Sequence, residues 1–387
     1  MRVSGRVLLV FMFLSLTVLL SSYSFTLFCD DECDPVSLGM GKSSFISNTG
    51  AGTLFRNPAR LADLKSWEFS TAMSVRKEKY DRFINSDSDN SIDAQKIQME
   101  PEVPNSFSYA AFALPVTLKD NRKLTLGFGY RKQIDVTEKA DFTIMNNQNE
   151  QFEEYYDQKG GLNHLSFGLG YQANKRFSIG TSYHIGLNSK YDIQQKEYDA
   201  DEVEESNTDY KFHYMTFSML GQLGNHIELG MAYRSEYILR SESKPVSGSD
   251  TNEYSGHLLM PEEWAAGISL YNDYFKLNAE YVLPHYLRYN HYSWIPLADI
   301  NGNKFRIGAE GKAKKFTFRA GTYHDDVIIP FVSVKRQIGY TFGMGVNFVK
   351  NTHLDFAADF CTLDFKLGAN DYEYNTQKYL LGLSLSY

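Results

Sequence analysis

The residues that could do chemistry are nine histidines and a plentiful supply of serines. Their spacing gives them little to do it with. The histidines form no HExxH pair and no other paired metal-ligand spacing, so no metal site is expected. No serine sits in a Gly-x-Ser-x-Gly elbow. His164 or His184 could serve a serine as base only if Ser and His faced the same way on neighbouring strands; a structural histidine is the ordinary case. No catalytic residue and no cofactor is assigned, and the chain reads as a non-enzyme. The charges say more. Lys276 and Glu280, Arg306 and Glu310, and Arg319 fall on three consecutive predicted strands. Opposite charges on neighbouring strands pair and brace a wall, which is the preferred reading. The functional alternative is that Arg306 or Arg319 attracts a carboxylate head group with its planar fork of donors. Cys29 and Cys33 flank Asp30 to Glu32 and are read as a small-loop disulfide or as two idle thiols. Cys361 stands alone.

The elements that position these groups follow from composition and pattern. The chain has 387 residues, 39 Lys and Arg against 47 Asp and Glu, and a formal charge of -8. That balance gives no footprint for a nucleic-acid partner. With 43% hydrophobic and 22% charged residues, disorder is excluded as well. Aromatics reach 15%, almost all Tyr and Phe, which favour strands. Mean hydropathy is -0.39, and after residue 28 no run approaches the roughly 18 apolar residues of a spanning helix. A helical transporter is excluded; a membrane barrel, which hides its hydrophobicity in alternation, is not.

Arg2 and Arg6 precede an apolar stretch from Val7 to Leu20, followed by Ser21, Ser22, Tyr23 and Ser24. This is the order of a secretory signal, so residues 1–24 are expected to be removed and Phe25 to begin the mature chain. An uncleaved anchor is the alternative. Phe28 is too bulky, next to Cys29, for a lipidation signal.

From Ser66 to the end, segments of ten to fifteen residues with period-two alternation recur between turns. Leu165, Phe167, Leu169 and Tyr171 alternate with Ser166, Gly168 and Gly170, and Ile227, Leu229, Met231 and Tyr233 alternate with Glu228, Gly230 and Ala232. Successive strand residues face opposite ways. About fourteen strands are expected, at 66–77, 105–117, 121–135, 160–173, 175–190, 209–222, 225–240, 260–271, 274–288, 302–313, 315–324, 337–349, 352–366 and 377–387. Long polar loops near 78–104, 136–159, 191–208, 241–259, 289–301, 325–336 and 367–376 alternate with tight turns such as Ala173-Asn174, Gly224-Asn225, Asn272-Asp273 and Lys350-Asn351. Long loops at one end and short turns at the other are the mark of an outer-membrane barrel. The fold class is therefore all-β: a transmembrane antiparallel β-barrel over 66–387, with outer-membrane lipid around it. Its second face, rich in Gly, Ser and charges, suits a polar lumen. The final strand, 377–387, carries Tyr379, Leu381, Leu383, Leu385 and Tyr387 on one face and ends on an aromatic. It resembles the signal read by the outer-membrane assembly machinery, which makes that machinery an expected partner.

Residues 36–65 do not alternate; they are rich in Gly, Ser and Ala, with a bend at Asn57-Pro58. Gly39-x-Gly41 is no nucleotide fingerprint, because no strand precedes it. Gly39, Gly41, Asn57, Pro58, Ala59 and Leu61 resemble the opening of the outer-membrane transporters of long-chain fatty acids and aromatic hydrocarbons (FadL/TodX type). Pro261-Glu262-Glu263-Trp264 with Gly267, Arg306 to Glu310, and Arg319 to Tyr323 are similar to later strands of that family. Three positions differ from its pattern: Arg60, where Gly is common, Gly311, where Tyr is usual, and Lys42, bulky for its place. The resemblance implies a fourteen-strand barrel and a hatch, here within 25–65, that plugs the lumen from the periplasmic end. Gly39, Gly41, Asn57, Pro58 and Ala59 would belong to that hatch, as a moving gate or as a fixed plug.

The expected function is passive uptake of hydrophobic small molecules, such as long-chain fatty acids or aromatic hydrocarbons, across the outer membrane of a diderm bacterium. Phe152, Tyr155, Tyr156, Tyr286, Trp294 and Ile295 would offer a capture surface, or serve as girdle and loop packing. The alternative function is a barrel scaffold for protein interaction in secretion or surface attachment.

Overall fold

A computed structural model describes residues 34–47, 49–83, 96–99, 103, 105–118, 122–135, 137–145, 151–197, 203–245, 254–285, 303–327, 335–349, 351–367 and 370–387. The signal segment 1–24, Cys29 and Cys33, Tyr286, Trp294 and Ile295 lie outside the described residues, as do the side chains of Phe152, Tyr155 and Tyr156.

The strands run β1 (Glu68–Phe83), β2 (Lys96–Met99), β3 (Ser106–Thr117), β4 (Lys123–Asp135), β5 (Glu138–Met145), β6 (Gln151–Asn174) and β7 (Phe177–Gly186). They continue as β8 (Ser189–Glu197), β9 (Val203–Lys211), β10 (His213–Leu223), β11 (Ile227–Arg234), β12 (Tyr237–Pro245), β13 (Tyr254–Met260) and β14 (Glu262–Tyr271). The last are β15 (Phe275–His285), β16 (Lys304–Ala313), β17 (Phe316–Val327), β18 (Lys335–Val349), β19 (Thr352–Leu367) and β20 (Asn370–Ser386). Fourteen of them close an antiparallel barrel, the number the alternation predicts. β20 pairs with β1 from Ser386↔Glu68 to Asp371↔Phe83, so the wall has no open edge. Lipid demands that closure, because it offers an unpaired backbone no partner.

The alternation does what it predicts. On β10, His213, Met215, Phe217 and Met219 are exposed, while Tyr214, Thr216, Ser218 and Leu220 are buried. Around the wall, Phe128, Phe167, Met231, Phe318, Phe342 and Leu381 are likewise exposed. A continuous apolar belt of this kind belongs against lipid, not water. At the turn-side rim Trp67 stacks on Tyr387 with ring centroids 6.1 Å apart, and the Tyr387 N–H donates to the Trp67 carbonyl at 3.2 Å. No helix among the described residues is long and apolar enough to cross a membrane.

Three expectations need correction. Regions read as long loops carry strand: β1 runs on to Phe83, β2 lies within 78–104, β5 and the start of β6 occupy much of 136–159, and β8, β9, β12 and β13 reach into 191–208 and 241–259. These segments are rich in charged, amide and hydroxyl residues, a composition that reads as loop. Their pairing is fixed by the register of the wall they extend. Secondly, the last strand begins at Asn370, not at 377. Thirdly, the turn placed at Ala173-Asn174 lies at Lys175-Arg176, after a register shift between Gln172 and Asn174. Two of the other tight turns use residue types that tolerate a left-handed backbone, Gly224 at φ 68° and Asn351 at φ 67°, while the turn after β16 places Lys314 there at φ 57°.

Candidate functional site

Residues 34–64 fold back inside the turn-side half of the barrel. They form a short helix α1 (Pro35–Gly39) and two 3-10 turns, Ala51–Phe55 and Pro58–Asp63. Leu38, Ile46, Leu54, Ala59 and Leu61 are fully buried there. Asp34 caps α1, its carboxylate accepting from the Ser37 N–H at 2.9 Å and the Ser37 hydroxyl at 2.7 Å; burial pushes this carboxyl up to about 6. Pro58 opens its 3-10 turn, and Asn57 just before it donates from Nδ2 to the Phe45 carbonyl at 2.8 Å, tying the two halves of the segment together.

The second face of the wall, read as a polar lumen, carries small residues that meet this segment closely. Many of them are the seat of this hatch, backbone pressed on backbone. A Cβ on Gly180 would lie 2.2 Å from the Ala59 nitrogen and 2.3 Å from the Pro58 carbonyl carbon. One on Gly321 would lie 2.2 Å from the Gly41 nitrogen. Gly39 meets Gly343, and Gly41, at φ 71°, tucks between the carbonyls of Ile307 and Thr322. Within this seat the Gly41 N–H donates to Thr341 Oγ1 at 2.9 Å, and the Ala59 N–H donates to Ser218 Oγ at 2.8 Å. Gly39, Gly41, Asn57, Pro58 and Ala59 thus all lie in this inward-folded segment, at its contacts with the wall or with itself.

Charge fastens what packing positions. Arg60 forms a buried ion pair with Glu228 and donates to the Ile46 carbonyl at 2.9 Å. Lys42 sits 2.9 Å from Asp359, and its ammonium donates to the Tyr323 hydroxyl at 2.7 Å. Burial works against both cations, but Glu228 and Asp359 more than offset it, so each is held above its ordinary range. Arg56 reaches Glu263 at 3.4 Å. The two positions that depart from the family pattern with a long cation, Arg60 and Lys42, are therefore clamps.

The lumenal charges named from sequence divide into two groups. Glu280 on β15 faces Arg306 on β16 at 3.3 Å and accepts from the backbone N–H groups of Phe45 and Ile46 at 2.8 and 3.2 Å. Arg306 also donates to the Lys42 carbonyl at 2.7 Å and pairs with Asp325 at 3.3 Å. This pair grips the hatch. Arg319 on β17 bridges Glu310 on β16 at 2.8 Å and, across β18, Asp355 on β19 at 2.6 Å, tying four consecutive strands of the wall together. Sequence reasoning missed Glu228, Glu263, Asp359 and Ser218 as hatch partners. Nothing in the local sequence around these four residues marks them as partners.

Above the hatch the lumen is stoppered by an apolar cluster that includes Ile134, Leu162, Phe212, Tyr214, Tyr237 and Leu239. The Tyr214 ring stacks on His184 at 4.3 Å and on Tyr237 at 4.9 Å. A Ser–His contact does exist here: His184 Nδ1 lies 2.6 Å from Ser166 Oγ, and Nε2 lies 2.9 Å from Ser182 Oγ and 3.2 Å from Thr216 Oγ1. Both ring nitrogens are spent on hydroxyls, and the ring is fully buried. A catalytic pair needs a third group that orients the base and a path for substrate; His184 has hydroxyls on every side instead. At the turn-side mouth, below the hatch, a cavity of about 530 Å³ opens, lined by Asp34, Arg60, Asp63, Glu68, His353 and Asp355 among others.

Comparison with known proteins agrees with this architecture. A family profile described as BamG matches residues 38–249. No curated protein sequence matches. Among solved structures, the Pseudomonas putida toluene transporter TodX superposes with a TM-score of 0.64 at 14% identity, covering 93% of this chain and 100% of its own. The Ralstonia pickettii toluene transporter TbuX gives 0.62 at 14%, covering 93% and 100%. A Pseudomonas aeruginosa FadL homologue gives 0.61 at 13%, covering 92% and 99%. At such identities the likeness is one of fold alone.

Proposed function

The chain belongs to the BamG family, and on that premise we propose that it is a sealed outer-membrane barrel acting as a platform for protein partners. The observation that carries this reading is the fastened hatch. Its backbone is pressed into wall glycines, and Arg60 and Lys42 are buried against Glu228 and Asp359. A gate that moves on ligand binding would have to part these buried pairs, and separating even one such pair is expensive. Above the hatch, side chains fill the lumen. The wall itself continues outward as β8, β9, β12 and β13, paired in that order through β9–β12 into a polar sheet. Extensions that carry exposed charges such as Lys190, Asp209, Lys211 and Glu242 suit contact with another protein.

A second reading keeps hydrophobic uptake, as the sequence first suggested. It is supported by the fold shared with toluene transporters and by the aromatic cluster of Phe212, Tyr214 and Tyr237. On that account an apolar solute enters from the outer end, gains about 25 cal/mol per Å² buried, and leaves sideways through the wall while the hatch stays in place.

Two measurements separate the readings: uptake of labelled fatty acids and alkylbenzenes by a deletion strain against wild type, and affinity purification of the tagged protein from an expressing strain after cross-linking in native membranes. The platform account expects unchanged uptake and a partner protein recovered in stoichiometric amount. Loss of uptake with the barrel recovered alone would give the case to the channel.

A further inference from the structure

Two of the tight turns at the barrel rim share one composition. Lys175 and Arg176 join β6 to β7 and are followed by Phe177; Lys314 and Lys315 join β16 to β17 and are followed by Phe316. All four cations are exposed, and among the described residues none forms an ion pair. Neither turn contains a carboxylate, although the chain as a whole carries a charge of -8. Phe177 and Phe316 are exposed too, and each begins an outward row, with Ile179 and with Phe318. Each basic pair therefore stands at the edge of the lipid-facing belt. The same rim carries the Trp67–Tyr387 stack, and paired aromatics of this kind mark the level where membrane meets water. The turns are held in place: the Arg176 N–H donates to Asn174 Oδ1 at 2.8 Å, and the Arg176 and Lys315 carbonyls accept from the Gln222 and Asn347 N–H groups at 2.8 and 3.0 Å. Lys314 sits at φ 57°, a left-handed position that Gly or Asn fills with less strain. Lysine there places an ammonium at the tip of the turn in spite of its backbone.

We propose that these two turns are docking sites for anionic phospholipid head groups in the leaflet at the turn-side end of the barrel. Lys175 with Arg176, and Lys314 with Lys315, meet the phosphate oxygens, while Phe177 and Phe316 lie against the first acyl carbons. Basic residues at a membrane surface attract anionic lipid, each contributing about fivefold to binding. Free phosphate would meet the same cations, but the adjoining apolar belt favours a phosphate that carries acyl chains. The two sites lie at well-separated points of the rim, so together they fix the depth and tilt of the barrel in the bilayer. They are independent of the hatch, and they serve a platform and a channel equally.

Native mass spectrometry of the full chain, equilibrated in micelles with equal amounts of phosphatidylglycerol and phosphatidylcholine, tests this. The native protein should retain phosphatidylglycerol in preference, and the preference should weaken as salt is raised. Replacing all four cations (Lys175→Gln, Arg176→Gln, Lys314→Gln and Lys315→Gln) should lower it by about tenfold or more. Lys211→Gln, which removes an exposed cation on β9 away from these turns, should leave it unchanged. If the fourfold variant does not fold, Lys314→Asn with Lys315→Gln keeps a residue suited to the left-handed backbone and should still lower the preference. Equal retention of the two lipids by the native protein, or an undiminished preference in the folded variants, would overturn the proposal. So would displacement of phosphatidylglycerol by inorganic phosphate at equal concentration, or a protein partner lost from the variants while lipid retention stays native.

Discussion

Gly180→Leu should unseat the hatch and open the barrel to ions. The Cβ alone would lie 2.2 Å from the Ala59 nitrogen, with the Pro58 carbonyl carbon at 2.3 Å, and both are backbone atoms that no rotamer change moves aside. Overpacking of this kind costs about 1–3 kcal/mol when side chains can yield, and here they cannot, so the top of that range is expected. The chain can relieve the clash only by lifting the Pro58–Asp63 turn from the wall. Planar-bilayer conductance should rise from near zero to pore-like steps, with the urea midpoint of the folded barrel lowered. Gly221→Ala is the matched control on β10: its added Cβ would have only the Phe177 ring near it, at 4.0 Å, and both readouts should stay native.

Glu228→Ala should be nearly as damaging, for an electrostatic reason. It leaves the buried Arg60 guanidinium with only the half-exposed Asp63, at 3.3 Å, as its remaining carboxylate. Removing one partner of a buried ion pair typically costs about 3–5 kcal/mol, because the other charge stays buried. The exposed pair of Lys211 and Glu242, at 2.9 Å, provides the contrast: Glu242→Ala should change stability by about 0–1 kcal/mol. Urea unfolding in micelles, followed by the gel shift between folded and unfolded barrel, reads both. Equal effects of the two substitutions would mean that Arg60 finds water, and the hatch would then be no clamp.

The wall was legible because lipid enforces a two-sided pattern: Met215, Phe217 and Met219 must face out if Thr216 and Ser218 face in. The same rule explains what was missed. Gln151 to Gln158 and Val203 to Asp209 carry mostly charged and amide or hydroxyl side chains, so their composition reads as loop rather than strand. The hatch was placed by its lack of alternation and by the bend at Asn57-Pro58, but its partners could not be seen. Glu228, Asp359 and Glu263 carry no local signature; they become partners only when closure of the barrel brings β11, β19 and β14 around a segment that lies hundreds of residues away in the chain. Arg60 and Lys42 looked like exceptions to a family pattern. In three dimensions they are the means by which this particular hatch is held.

Ion conductance of the unmodified protein in a planar bilayer tests the central claim most directly. A lumen filled by a clamped hatch predicts silence across a range of voltages, and pore-sized steps once residues 36–65 are deleted. Stable open steps from the intact chain, or a silent deletion that still folds into the barrel, would contradict the account.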